Sequence, residues 1–258
     1  MRRVGVVALN TFREAVRDRV LYNLVFFALV MIAASILVGQ VSIGIEEMVI
    51  VNLGLSAISV IGLLIAVFIG VGLVSKEMEK RTLYALLAKP VRRWEFLLGK
   101  FGGLVLTLTV NTVAMAAGLF LALSLVAHSD EYRQGSVVVA VYFILLKLAL
   151  VVALALLFSC YTTPLLAILC TAGLYVAGLF ITEMRTFQSK TMSHALQTLL
   201  RWLSYLLPNF GNFDVMAAAA HGRVIPQALI AQNTAYAALY CVIVLTAAAA
   251  IFTRRNLK

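Results

Sequence analysis

Charge is scarce in this sequence. Asp, Glu, Lys and Arg supply 12% of its 258 residues, 63% are hydrophobic, and the mean hydropathy is +1.01. A soluble domain carries roughly twice that share of charge, so a water-soluble core of ordinary size is excluded and the chain reads as an integral membrane protein. Cysteine is rare as well. Cys160, Cys170 and Cys241 lie in apolar surroundings and are too few for a disulfide framework or a zinc site. His128, His194 and His221 are isolated, with no metal-ligand spacing. No strained serine elbow is present. Gly99 and Lys100 are adjacent but lack the earlier glycine and the following Ser or Thr of a phosphate-binding loop. The chain therefore carries no visible catalytic group, metal site or means of hydrolysing a nucleotide. Solenoid-type repeats, low-complexity tracts and linkers between soluble domains are also missing.

What the chain does have is long apolar segments. A spanning helix needs about 20 apolar residues, and six stretches qualify, near 20–39, 50–74, 101–127, 137–159, 163–182 and 230–252. The first is too long for a signal-peptide core and no cleavage site follows it, so it reads as an uncleaved span. The net charge of +10 is unevenly placed. Five arginines precede the first span, seven basic residues lie between the second and third, and Arg254, Arg255 and Lys258 follow the sixth. The other side receives Arg133, Arg185, Lys190, Arg201 and Arg223, with Lys147 inside the fourth span. This asymmetry puts both termini in the cytoplasm. Basic residues clustered beside apolar spans point to membrane lipid and not to nucleic acid.

Three segments outside the spans carry organisation. Residues 2–19 form an amphipathic surface helix, with Val4, Ala8, Phe12, Ala15 and Val16 on one face and Asn10, Arg13, Glu14, Arg17 and Asp18 on the other. Its arginines suit anionic headgroups; the alternative is an ordinary charged flank. Residues 76–100 hold seven basic and three acidic residues, too much charge for hydrocarbon. Within them Glu77 to Leu87 can form a short helix stopped by Pro90, with Lys100 snorkelling at the base of the third span. A short cytoplasmic helix joined to two spans is a mechanical lever. In the outer segment, 183–227, residues 192–207 read as an interfacial or half-inserted helix. Pro208, Asn209 and Gly211 break it, Asp214 can cap a short helix ending near Gly222, and Pro226 opens the sixth span.

Here the sequence resembles a known family, the membrane permease subunits of type-two ABC exporters. The match runs through Glu77, Glu79, Thr82, Leu86, Leu87, Pro90, Arg93, Leu98, Gly99 and Lys100, and through Leu207 to Asp214. Arg81 stands where family members often have glycine. The amphipathic start, six spans and short fourth loop extend the resemblance over the whole chain. It implies an all-α polytopic bundle of six spans forming one domain, residues 1–258, and a dimer with a second permease copy, a homodimer by preference. Two copies of a cytoplasmic ABC ATPase would bind ATP and magnesium, so this chain would need no cofactor of its own. It implies residence in the bacterial cytoplasmic membrane. The segment between spans two and three would be the coupling helix, engaging the ATPase through Glu77, Glu79, Arg81, Thr82, Leu86, Leu87, Pro90, Arg93 and Lys100. Spans two and five would line the path, and Pro208, Asn209 and Phe210 would form an outer gate.

Single residues admit two readings each. Gly62, Ala66 and Gly70, four apart in span two, either line that path or let helices pack closely within one bundle. Lys147, mid-span, either contacts an anionic substrate or headgroup or snorkels. Asn111 and Thr112 suit interhelical hydrogen bonds. A gradient-driven transporter would need paired charges inside spans, and one lysine without a carboxylate speaks against it. An intramembrane enzyme lacks its nucleophile or metal pair. A membrane anchor for an assembly factor is the remaining alternative, and export by reconstituted vesicles separates it from the permease.

Overall fold

A computed structural model describes residues 2–17, 19–41, 45–79, 93–126, 131–186 and 207–254. Among these, every regular element is helical. The helices are α1 Arg2–Val16, α2 Arg19–Val41, α3 Glu46–Glu79, α4 Arg93–Val126, α5 Glu131–Ser159, α6 Pro164–Thr186, a 3₁₀ turn Phe210–Phe213, α7 Met216–Ala220 and α8 Gln227–Arg254. In hydrocarbon each backbone amide must find its partner within its own segment, which leaves helices as the economical answer to these apolar runs.

Within the described residues, four helices are long and apolar enough to cross a membrane: Glu46–Gly72, Trp94–Leu125, Gly135–Ser159 and Gln227–Thr253. Leu24–Gly39 and Pro164–Phe180 are shorter apolar stretches. The chain is thus a multi-pass membrane protein. α3 and α4 have 34 residues each, about 51 Å at 1.5 Å per residue, against roughly 30 Å of hydrocarbon. Two boundaries differ from the sequence reading. Residues 77–79 close α3, and Arg93–Lys100 open α4 as one helix with the apolar run behind them. Helical hydrogen bonding continues through charged residues once they stand clear of the apolar core. Residues 80–92, with Arg81, Thr82, Leu86, Leu87 and Pro90, lie outside the described residues, as does the expected interfacial helix up to residue 206.

α3 and α5 form the inside of the bundle. All seven residues from Leu150 to Leu156 are buried, so α5 has no exposed side over two turns. α3 approaches its neighbours closely where side chains are absent. Leu148 of α5 and Leu119 of α4 fill the space a side chain would occupy at Gly62 and Gly54. α2 and α8 lie further out and show Phe26, Phe27, Leu37, Leu239, Val242 and Ile243 on their surfaces. Exposed apolar area on that scale is a liability in water and is what a lipid-facing surface requires.

Candidate functional site

At one end of the bundle α1 lies against the first turns of α4. It fits there because α4 offers Gly99 and Gly103: side chains at those two positions would run into Val7 of α1 and into Thr11 and the Ala8 carbonyl. Thr11 and Ala15 are fully buried in this seam. The Thr11 hydroxyl donates to the Val7 carbonyl at 2.9 Å, so even the polar residue is satisfied there. Lys100, 1% exposed, points into the seam and pairs with Glu14 at 3.5 Å, its ammonium 5.8 Å from the Phe96 ring centre. Phe96 in turn stacks on Phe252 of α8 at 6.3 Å. Lys100 therefore does not snorkel to the aqueous boundary. It turns inward because an acid from another helix meets it there. The outer side of α1 exposes Val6, Leu9, Arg13 and Arg17. The side chains of Glu77, Glu79 and Arg93 lie outside the described residues.

Midway along the bundle, the Lys147 ammonium of α5 donates to the Ser59 hydroxyl of α3 at 2.7 Å. Lys147 is 3% exposed. An ammonium at this depth has to find polar company inside the protein, and Ser59 supplies it. The Gly62–Ala66–Gly70 stripe faces the same way. Leu148 and Ala155 of α5 close over Gly62 and Gly70, and Ala66 is buried. Of the two readings of the stripe, this geometry matches close packing within one bundle. Thr112 and Asn111 of α4 are buried too, and the Thr112 hydroxyl and the Asn111 amide nitrogen have no hydrogen-bond partner among the described residues.

At the opposite end, residues 208–220 push down among α3, α5, α6 and α8. Pro208, Asn209, Phe210 and Phe213 are all buried. Phe210 sits 5.0 Å from Tyr175 of α6, and its ring and the Pro208 carbonyl occupy the space left by Gly178. Phe213 meets Phe143 of α5 edge-on at 6.4 Å and Tyr236 of α8 at 6.1 Å. Phe143 lies one turn above Lys147. The polar atoms of the plug are matched rather than stranded. The Asn209 amide nitrogen of the backbone donates to the Tyr236 hydroxyl at 2.9 Å, and the Asn209 side chain accepts from Gly211 and donates to Asn212. Asn233 of α8 donates to the Asn212 carbonyl at 2.9 Å. Asp214 accepts from the Met216 amide at 3.3 Å, and α7 ends in a left-handed Gly222 with φ 66°. The Arg223 amide then reaches back to the Ala218 carbonyl at 2.9 Å, the hydrogen-bond pattern that lets a glycine end a helix.

The structure buries Pro208, Asn209 and Phe210 among the helices, with Phe210 against Tyr175 and Gly178. It leaves Lys147 in the core and Lys100 at the far end. Sequence reasoning missed Phe213, Tyr236 and Asn233 in the plug and Glu14 in the seam. Asn233 carried a signal, being an amide inside an apolar run. Two 34-residue helices, longer than a hydrocarbon layer requires, and an aromatic cluster packed among the helices at the opposite end are the features that stand out in this bundle. The ABC-2 family transporter protein model matches residues 6–257, and the chain belongs to that family. It is therefore a type-two ABC permease, a membrane transport component that is not itself catalytic and whose family works with an ABC ATPase. No curated protein matches the chain.

Proposed function

We propose that this chain is the permease half of an ATP-driven exporter in a bacterial cytoplasmic membrane. It acts as a homodimer bound to two cytoplasmic ATPase subunits, which hold the ATP and magnesium. α2, α3, α4, α5, α6 and α8 make six crossings, with both termini cytoplasmic, and residues 208–220 plug the outer end. Family membership over residues 6–257 carries this reading. The continuation of α3 to Glu79 and the start of α4 at Arg93 support it mechanically, because a push on the connecting segment would reach both helices without an intervening joint.

In this mechanism the ATPases close on ATP and displace the segment around Glu77, Glu79, Arg81, Thr82, Leu86, Leu87, Pro90 and Arg93. α3 and α4 tilt, and α1 follows through the Glu14–Lys100 pair. The path runs along the exposed faces of α3 and α6, which carry Ser56, Val60 and Phe68 and Leu169, Cys170 and Val176. Opening requires Phe210 and Phe213 to leave their aromatic seats. ATP binding can drive this only by the difference in its affinity for the two states. Lys147 holds α3 to α5 beneath the plug. Charge reversal at Glu79 or Arg81 tests the reading: partner co-purification and permease-stimulated ATPase activity should fall together. Unchanged binding and unchanged stimulation would overturn the lever assignment.

A further inference from the structure

A cavity of about 600 Å³ opens between the first turns of α5 and α8, lined among others by Gly135, Ser136, Val139, Ile225, Gln227 and Ile230. That volume falls in the range of ligand-binding clefts. The charged residues Glu131 and Arg133 precede Gly135, Arg223 precedes Gln227, and the apolar runs of both helices follow, which sets the cavity at the rim of the hydrocarbon layer. Its walls are graded. Ser136 and Gln227 stand at the level of the helix starts, and Val139 and Ile230 stand one turn deeper. Beside it runs the connector from α7 to α8. Ser136 donates to the Arg223 carbonyl at 2.9 Å, which fixes that connector against α5, and the Arg223 side chain is exposed. A side chain added at Gly135 would meet nothing within 4 Å. Gly135 is exposed, so the groove is open on that side.

We propose that this groove binds one phospholipid of the adjoining leaflet, an acyl chain lying against Val139, Ile225 and Ile230 and an anionic headgroup at Arg223 and Gln227. The polarity gradient matches an amphiphile standing in a bilayer, with its polar end at the helix starts. An apolar groove at this depth is wetted by hydrocarbon and not by water, and the exposed Arg223, next in the chain to the lining residues Val224 and Ile225, is a cation that favours an anionic headgroup. The lipid would touch Ile225 in the connector that follows the plug, so it would brace the outer gate from behind. This inference rests on the permease reading only for that last role. The site itself is independent of the ATPase and of which way the chain faces.

The test uses the purified full chain in detergent micelles with a phosphatidylglycerol carrying a diazirine in its acyl chain. Label should map to the first turns of α5 and α8. Gly135→Leu fills the groove, meets no neighbour, and replaces a poor helix former with a good one, so it folds while labelling drops about tenfold. Val139→Trp blocks the groove from the other wall and should do the same. Arg223→Gln should keep the labelling but lose the roughly fivefold preference for unlabelled phosphatidylglycerol over phosphatidylcholine as competitor. Label spread over the exposed faces of α2 and α8, undiminished labelling in folded Gly135→Leu and Val139→Trp, or an unchanged headgroup preference in Arg223→Gln would each overturn the site. ATPase co-purification of Gly135→Leu should match wild type, which separates failure of the lipid site from failure of the permease reading.

Discussion

Phe213→Ala should loosen the outer plug by a measurable amount. Phe213 is 1% exposed, meets Phe143 edge-on at 6.4 Å and lies 6.1 Å from Tyr236. Truncating a buried phenylalanine costs roughly 3–5 kcal/mol, cavity included. Each aromatic contact contributes on the order of 0.5–1.5 kcal/mol of that beyond area burial. The loss falls on the seated plug, because an unseated plug has no such contacts to lose. Taking the low end, about 3 kcal/mol shifts the seated-to-unseated ratio by roughly a hundredfold, at 1.4 kcal/mol per factor of ten. Ala219 is fully buried in α7, the last part of the plug, and serves as the reporter. In a background with Cys160, Cys170 and Cys241 replaced, Ala219→Cys should react with a membrane-impermeant maleimide only through the unseated state. Its rate should therefore rise roughly a hundredfold when Phe213→Ala is added. Phe180→Ala, at a residue 55% exposed on α6, is the control and should leave the rate unchanged. A rate within threefold of the parent in the Phe213→Ala variant would refute the claim that Phe213 seats the plug.

Three further outcomes are expected. Lys147→Met should hold or raise the thermal unfolding temperature, since it removes a desolvated charge. Ser59→Val should lower it, because the ammonium loses its hydroxyl acceptor, a change of about 1–3 kcal/mol; equal effects from the two would contradict the pairing. Glu14→Ala should destabilise the packing of α1 by about 1–2 kcal/mol, less than a fully buried pair because Glu14 is 39% exposed. Faster proteolysis within α1 reports it, and Lys100→Met should have the smaller effect. Of the three cysteines Cys170 alone is exposed, so a thiol-reactive dye should label it first, and a short bifunctional thiol reagent should trap a dimer through α6 in membranes. Monomer alone at every reagent length would remove α6 from the dimer interface.

The helices themselves were legible in the sequence because apolar length and charge placement are local properties. The sequence grouped Pro208, Asn209 and Phe210, and it placed a short helix ending near Gly222, because glycine and proline declare backbone breaks. Depth was not legible. Nothing near Phe210 or Phe213 in the chain states that Tyr175, Phe143 and Tyr236, on three separate helices, converge to receive them. The same limit explains α1. Its periodicity picked Val4, Ala8 and Ala15 correctly, yet it assigned Glu14 to solvent and overlooked Thr11. The docking face is chosen by where α4 lacks side chains, at Gly99 and Gly103, and by Lys100, which lies far along the chain from Glu14. The Gly62–Ala66–Gly70 stripe signalled close approach without naming the partner, and only the packing of α5 supplies it.

The stretch of α5 from Leu150 to Leu156 is enclosed on every side. A rod held in that way can neither roll nor slide without repacking several neighbours at once. In the proposed mechanism it would serve as the axle, with the working stroke left to the helices arrayed about it. Such an axle also never meets the bilayer over those two turns. Changes in lipid thickness or fluidity would reach the transport cycle through the outer helices and leave its bearing untouched.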